Sequence, residues 1–181
     1  MDVTLMLPTV NFDKESERDL VTACRQREVA AFETLYRRHG ARLKSVAYHL
    51  LRNRPDAEDA VQEAFLNAYR SVHGFRGEST IGTWLCRIVV NVCNDKLRKD
   101  QKEVQLAVEP ESVSPNRALR IALEDALQRI HPKHRMVFLL FEAEGYTHSE
   151  IASILDIPEG TSKGWLADAK QELKRMLGAR K

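Results

Sequence analysis

Residues 56–66 read DAEDAVQEAFL, an apolar repeat set in a strongly acidic segment. At about 100° per residue, the apolar side chains between Asp56 and Val72 gather on one side of a helix, so we predict a helix over that range with this side in a core. The core side consists of Val61, Ala64, Phe65, Ala68 and Val72. The other sides of this helix are expected to face solvent or a partner.

Four side chains lie off the core side and combine two carboxylates, an amide and a leucine. They are Asp59, Gln62, Glu63 and Leu66. A solvated charged face is one interpretation of this set. A docking face for a basic partner protein is the other, and Leu66 favours it because interface centres are richer in apolar than in charged side chains.

The next segment reads FRGES at residues 75–79 and precedes a helix that we predict over Thr80 to Lys99. Its core side collects Leu85, Ile88, Val89 and Val92, and a polar stripe with spacings i, i+4, i+7 and i+11 collects Arg87, Asn91, Asn94 and Arg98. Arginine and asparagine can hydrogen-bond both phosphates and base edges, which an ordinary Glu/Lys surface is less suited to do. The stripe is therefore a candidate nucleic-acid surface.

Two aromatic residues, Phe75 and Trp84, flank the glycine-bearing loop before that stripe. Aromatic side chains beside basic and amide groups suit an unstacked base, since stacking contributes about 1 to 3 kcal/mol per base and tolerates any sequence. Trp84 is equally well interpreted as a core or core-edge side chain.

Residues 147–161 read THSEIASILDIPEGT, which has the pattern of a helix-turn-helix. Thr147 is expected to cap the first helix with Glu150 as its capping-box partner. Residues 156–160 form the turn, and four lysines of the second helix then lie within about 20° of one line. They are Lys163, Lys170, Lys174 and Lys181. Such a row can follow a phosphate backbone, and its contacts would weaken steeply with salt.

Almost every periodic segment of the chain is helical, and no convincing alternating strand appears, so the predicted class is all-α. Gly40, Pro55 and the segment 74–77 are interpreted as breaks in the first half; His131-Pro132, Gly145 and Ile157-Pro158 are breaks in the second. The predicted helices are Glu17 to Gln26, Val29 to His39, Ala41 to Leu51, Asp56 to Val72, Thr80 to Lys99, Asn116 to Arg129, Pro132 to Glu144, Thr147 to Leu155 and Glu159 to Leu177.

A length of 181 residues and a non-periodic, proline-bearing stretch at 101–115 favour two small helical domains, each with a small core, joined by a flexible linker. The proposed division is an N-terminal extension at 1–12, a first domain at 13–100, the linker at 101–115 and a helix-turn-helix domain at 116–181.

The composition, 43% hydrophobic and 30% charged, is that of a soluble globular protein. No apolar run approaches the roughly 20 residues of a membrane span, and the N-terminus lacks a basic leader, so we expect a cytoplasmic protein without membrane insertion. Cys24, Cys86 and Cys93 lack CxxC spacing; buried reduced thiols are the main interpretation, and a redox pair of Cys86 and Cys93 is the minor one. No metal site or cofactor is predicted.

These motifs, in this order and spacing, resemble the extracytoplasmic-function sigma factors, the smallest type of bacterial RNA polymerase specificity subunit. The resemblance extends from about Asp19 to Leu177. Its most specific parts are residues 56–66, 75–77 and 83–91, the last reading TWLCRIVVN. The resemblance implies a two-domain helical protein, not an enzyme, that binds core RNA polymerase and directs it to promoter DNA, with the promoters of a stress or envelope response as the expected targets. An anti-sigma factor is a further expected partner.

The resemblance also implies roles for individual residues. Core polymerase would dock on Asp59, Gln62, Glu63 and Leu66. The minus-10 element would be melted and read by Phe75, Arg76, Ser79, Thr83, Trp84, Arg87, Asn91, Asn94 and Arg98. The minus-35 element would be read in the major groove by Thr161, Ser162, Lys163, Trp165, Lys170 and Lys174.

One segment departs from the family pattern. Where relatives usually carry a Ser-Arg pair and a further arginine on the recognition helix, this chain has Gly164, Trp165 and Asp168. Asp168 is an awkward neighbour for phosphate, although a carboxylate can accept a hydrogen bond from cytosine. The lysine row is therefore a firmer DNA contact than any base-reading role of Trp165 or Asp168.

Two other classes of protein remain open from the residues alone. A stand-alone helix-turn-helix regulator would bind duplex DNA without polymerase, usually as a dimer, and the acidic helix followed by an aromatic-basic helix argues against it. A helical enzyme would draw on His39, His49, His131 and His134 and on the carboxylates of the chain as candidate catalysts. Because none of these histidines has a recognisable metal or nucleophile-base spacing, no catalytic residue is predicted.

Overall fold

The computed structural model describes residues 17–100, 122, 123 and 125–178. Within these residues the backbone is built of helices and turns without a β-strand, which confirms the all-α prediction. The N-terminal extension, the linker at 101–115 and most of the helix predicted from Asn116 lie outside the described residues.

In residues 17–100, the helices are α1 (Glu17–Arg25), α2 (Val29–Leu51), α3 (Arg54–Ser71) and α4 (Ile81–Asp100), with a 3-10 turn at Val72–Gly74. In the second half, residues 125–129 are helical and are called α5. They are followed by α6 (Pro132–Phe138), a π turn at Leu139–Ala143, α7 (His148–Leu155) and α8 (Glu159–Gly178).

The predicted break at Gly40 is wrong, because α2 runs through it without interruption. A glycine inside a helix costs about 1 kcal/mol relative to alanine. The burial of Leu35, Leu43 and Val46 on both sides of Gly40 outweighs that cost. The helix predicted over Pro132 to Glu144 also differs: it widens after Phe138 into the π turn, where the Glu144 N–H bonds the Leu139 carbonyl at 3.1 Å.

Side-chain caps fix where α3 and α7 begin. The Asn53 side chain accepts a hydrogen bond from the Asp56 N–H at 3.2 Å, with Pro55 in the first turn of α3. At α7, the Thr147 hydroxyl accepts from the Glu150 N–H at 3.2 Å, and the Glu150 carboxylate accepts from the Thr147 N–H at 2.8 Å. The predicted capping box is confirmed.

The two halves pack against each other and share one main core. Leu20, Leu35, Val61 and Leu85 of the first half belong to the same buried cluster as Tyr146, Ile151 and Ile154 of the second. A smaller cluster around Ile130, Ala169 and Leu173 lies within the second half. The expectation of one separate small core per half is therefore too simple: α7 is packed on α4, and the π turn on α2.

Candidate protein-docking and nucleic-acid interface

The predicted docking face lies on the solvent side of α3. Asp59, Gln62 and Glu63 are exposed, and Leu66 exposes 58% of its surface. The core side of the helix is buried as predicted, with Phe65 partly buried at its edge. The sequence pattern thus predicted correctly which sides of α3 are buried and which are accessible.

An open apolar groove of about 530 Å³ adjoins this face, between α2 and α3. Val29 and Tyr36 line its α2 side and are exposed by 65% and 40%, respectively. The ring of Phe32 packs edge-on against Tyr69 with centroids 5.0 Å apart, and Tyr36 packs on Phe65 at 5.1 Å. This contribution of α2 to the docking face was not predicted from the sequence. The apolar row of residues 29, 32 and 36 at helical spacing was the available signal.

The polar stripe of α4 is accessible along much of its length. Arg87, Asn91 and Arg98 are exposed and Asn94 is half-buried. Two of the cations have carboxylate partners: Arg87 lies 3.8 Å from Asp156 of the second half, and Arg98 bonds Asp95 one turn away. The stripe is therefore a surface of amides and partnered arginines.

The loop before α4 places its aromatic residue inward. Phe75 is buried, with its ring centroid 5.3 Å from that of Trp84, and Trp84 is itself packed against the core. Arg76 is exposed and Ser79 is half-buried. In this arrangement Phe75 is not available to stack on a base, and Trp84 fits the interpretation as a core-edge side chain.

The second half of the chain covers the first turns of α4. Thr83 is only 2% exposed; its hydroxyl shares a hydrogen bond with Thr80 at 2.9 Å and donates to Glu150 of α7 at 3.4 Å. Cys86, one turn further on, is completely buried. A predicted DNA contact at Thr83 is thus closed off by α7.

A partly buried polar cluster joins this covering segment to α2. The Glu144 carboxylate accepts from the Ser45 hydroxyl at 2.6 Å and lies 3.0 Å from His49 Nδ1. Burial alone would raise its pKa, but the bonds from His49 and Ser45 outweigh it, and the pKa of Glu144 lies below its ordinary value. The Arg42 guanidinium bonds the Glu144 carbonyl and stacks 3.6 Å from the centre of the Tyr146 ring.

The lysine row of α8 is exposed at Lys163, Lys170 and Lys174. Lys163 pairs with Glu159 at 2.7 Å, a contact that also lowers the Glu159 pKa, and Lys170 pairs with Glu142 at 2.7 Å. The row therefore exists, but part of its charge is partnered within the chain.

Three other residues predicted to read DNA lie beside this row. Ser162 is fully buried and contacts His148 at 3.0 Å, so it packs α8 onto α7 and is not open to DNA. Thr161 is half-buried. Trp165 is partly buried against the core, with the Lys133 ammonium 5.3 Å from its ring centre.

All three cysteines are buried and free, which confirms their main interpretation. Burial raises the pKa of Cys24 to about 11 and that of Cys86 and Cys93 to about 12. Thiols of this kind are poor nucleophiles at neutral pH.

Among the described residues, no group of acidic, histidine or cysteine side chains could hold a metal ion. No helix in this part of the chain is long and apolar enough to cross a membrane.

Comparison with known proteins adds two family matches: Sigma-70 region 2 over residues 35–103 and Sigma-70, region 4 over residues 120–173. The ECF RNA polymerase sigma factor SigM of Mycobacterium tuberculosis is 34% identical over 178 residues, covering 94% of this chain and 91% of that protein.

Two solved structures share the fold. CnrH, in complex with the cytosolic domain of CnrY, has a TM-score of 0.73 at 23% identity and covers 91% of this chain and 99% of its own. The sigma factor RpoE of Bartonella quintana, in complex with the anti-sigma factor NepR, has a TM-score of 0.66 at 22% identity and covers 84% of this chain and 100% of its own.

Proposed function

This chain belongs to the extracytoplasmic-function (ECF) RNA polymerase sigma factors, and from that membership we propose which of its surfaces carries each part of the activity. A sigma factor binds core RNA polymerase and directs it to promoters for transcription initiation; it is a specificity subunit and not an enzyme. The division into a polymerase-docking, minus-10 domain at 13–100 and a minus-35 domain at 116–181 is part of the proposal.

Core polymerase docks on the exposed side of α3 and on the apolar groove beside it. The observation that carries this assignment is Leu66, a leucine left 58% exposed at the edge of an aromatic groove and next to the carboxylates of Asp59 and Glu63. A partner that offers both apolar and basic side chains would satisfy this combination, because interface centres desolvate apolar groups while the charged rim directs association. Gln62 lies on the same surface and lines the groove.

The minus-10 element is read by the exposed stripe of α4 together with the loop before it. Arg87, Asn91, Asn94 and Arg98 supply hydrogen bonds to phosphates and bases, and Arg76 and Ser79 supply further contacts from the loop. Phe75, Thr83 and Trp84 would contribute only after the loop or α7 moves, since all three are buried or half-buried here.

The minus-35 element is bound by α8 through Lys163, Lys170 and Lys174, with Thr161 and Trp165 at its N-terminal end. Ser162 supports this helix from inside. We further propose that the protein acts in the cytoplasm, that an anti-sigma factor controls it, and that its promoters belong to a stress or envelope response. Anti-sigma control is suggested by the structural relative RpoE, which was solved in complex with the anti-sigma factor NepR; the stress or envelope role rests on the resemblance alone.

The test is gel filtration of the purified chain with bacterial core polymerase and no DNA. Co-elution of the wild-type chain with polymerase is expected. Leu66→Glu should lower the affinity for polymerase by at least about 30-fold, because a charge would enter the apolar centre of the interface. The double variant Asp59→Ala, Glu63→Ala should lower this affinity by a smaller factor, because loss of the two charges slows association.

Asp125→Ala, which removes an exposed carboxylate from α5, is the matched control and should elute with polymerase unchanged. Separate elution of the wild-type chain, with tight DNA binding by the free protein, would instead indicate a stand-alone regulator. Normal polymerase binding by Leu66→Glu would remove α3 from the docking surface.

A further inference from the structure

Two side chains of α1 bond the backbone at the two ends of the loop 75–80. Arg25 donates from Nη2 to the Phe75 carbonyl at 2.6 Å. At the other end, the Glu17 carboxylate accepts a hydrogen bond from the backbone N–H of Ile81, which is the first residue of α4, at 2.6 Å. A single helix therefore holds both ends of this loop.

The helix that makes these bonds is firmly seated in the core. Leu20 and Cys24 are completely buried, and Val21 and Ala23 are nearly so. Glu17 and Arg25 are eight residues apart, which is about 12 Å along a helix. Because the buried side of α1 fixes its position, the two polar ends of α1 set the distance between Phe75 and Ile81.

An open groove of about 710 Å³ separates α1 from the loop. Its lining residues include three arginines, Arg18, Arg25 and Arg76, together with Thr22, Ser79 and Thr80 and the acidic Glu17 and Glu78, of which Glu78 lies 3.9 Å from Arg76. Guanidinium and hydroxyl groups are common ligands of phosphate and sugar in nucleic-acid complexes. Gly77, at φ +76°, provides the left-handed turn that bends the loop around the groove.

We propose that α1 is a positioning element for the minus-10 loop: Glu17 and Arg25 hold the loop in the form that receives an unpaired nucleotide of the opened promoter strand in the groove beside α1. The inference rests on the proposed role of the loop in reading the minus-10 element, and it extends that role to a helix that the resemblance left without one.

The bonds act on the backbone of the loop, so its side chains stay available to the strand. A loop released at either end would have to be ordered at the moment of binding, and the entropy lost in that step weakens affinity. Docking on polymerase should not change, because the docking surface lies on α2 and α3 and contains neither residue.

The experiment uses the full chain assembled with core polymerase. The DNA probe is a promoter duplex selected by the wild-type holoenzyme from a library randomised in both elements, and the measurement is affinity for its opened, single-stranded minus-10 strand. Arg25→Gln, with a side chain too short to reach the Phe75 carbonyl, and Glu17→Ala, without an acceptor for the Ile81 N–H, should each weaken strand binding by about tenfold, the usual effect of losing a charge-assisted hydrogen bond. Arg25→Lys should recover part of the loss.

Arg18→Gln is the matched control for Arg25→Gln. It also removes one positive charge from α1 and the groove, but it leaves both hydrogen bonds to the loop backbone in place. We expect it to weaken strand binding by only about twofold to threefold, through electrostatics alone. Melting temperature and co-elution with polymerase should stay near the wild-type values in all four variants, which separates positioning from a defect in folding.

Equal losses in Arg18→Gln and Arg25→Gln would overturn the proposal and leave charge as the explanation. Wild-type strand binding by both Arg25→Gln and Glu17→Ala, with Arg76→Ala defective, would also overturn it while leaving the loop as a DNA contact. If Arg76→Ala bound the strand normally as well, the proposed function of the loop itself would be wrong.

Discussion

The proposed docking face and the proposed DNA-facing surfaces of this sigma factor differ in how many of their side chains already have partners within the chain. The docking face presents Leu66, Val29 and Tyr36 openly to solvent. On the DNA side, cations are paired with carboxylates of the same chain: Arg87 with Asp156, Arg98 with Asp95, Lys163 with Glu159 and Lys170 with Glu142. With the surfaces assigned as proposed, polymerase would meet a surface ready to bind, whereas a promoter would have to replace partners that are already in place.

This difference gives the order of binding a physical basis. Exposed ion pairs contribute only about 0 to 1 kcal/mol each, so phosphate can displace the carboxylates, but the exchange reduces the gain from each contact. Covered residues such as Thr83 require a larger movement, the separation of α7 from α4. DNA affinity of the free chain should therefore be low, and binding to polymerase should come first.

The largest effect is expected from breaking the cover over α4. Glu144→Ala removes the carboxylate that joins the π turn to Ser45 and His49. This should destabilise the packing of the second half on α2 and α4 by about 1 to 3 kcal/mol. Cys86 is buried beneath this contact, so its rate of modification by a thiol reagent at pH 8 should rise by about 10- to 100-fold. Mass spectrometry of the labelled cysteines measures this rate.

Glu142→Ala serves as the matched control, since Glu142 lies on the same turn but pairs with Lys170 instead of α2. It should leave Cys86 labelling nearly unchanged. Cys93 is an internal reference because it is buried within the first half. Faster labelling of Cys86 and Cys93 together in Glu144→Ala would indicate general unfolding, and no change at Cys86 would show that Glu144 does not hold the halves together.

A moderate effect is expected when the same contact is titrated. Because the pKa of Glu144 is lowered on folding, its contribution to stability is present above the ordinary carboxyl pKa of about 4.5 and is lost as pH falls through the lower folded value. The difference in urea midpoint between wild type and Glu144→Gln should therefore be largest near pH 6 and shrink toward pH 3. A difference that stays constant over this range would contradict the assignment.

The sequence predicted local features well and missed those that depend on distant partners. The sides of α3 and the capping box at Thr147 follow from spacing along one helix, and the buried cysteines follow from the usual burial of free cysteine. The cover over Thr83 and the burial of Phe75 depend on packing between segments far apart in the chain, which periodicity cannot report. The Lys170–Glu142 pair joins residues 28 positions apart, so the lysine row appeared to carry more unpartnered charge than it has.

The smallest effect concerns that pair and tests whether the chain's own carboxylates compete with DNA. A lysine that neutralises one phosphate normally adds about 0.9 to the slope of log affinity against log salt concentration. When Lys170 leaves Glu142 for a phosphate, the carboxylate regains a counterion, so its contribution to the slope should be smaller. Glu142→Gln removes the competitor. It should raise affinity for the selected minus-35 duplex by about twofold to threefold at low salt and steepen the slope.

Lys170→Ala should do the opposite in the same titration, lowering affinity and flattening the slope by less than one unit. Asp125→Asn is the control for net charge, since it also removes one carboxylate from the second half but does not contact the lysine row. If Asp125→Asn and Glu142→Gln raised affinity equally, long-range charge would account for the gain. A gain specific to Glu142→Gln would show that a phosphate and Glu142 compete for the same ammonium group.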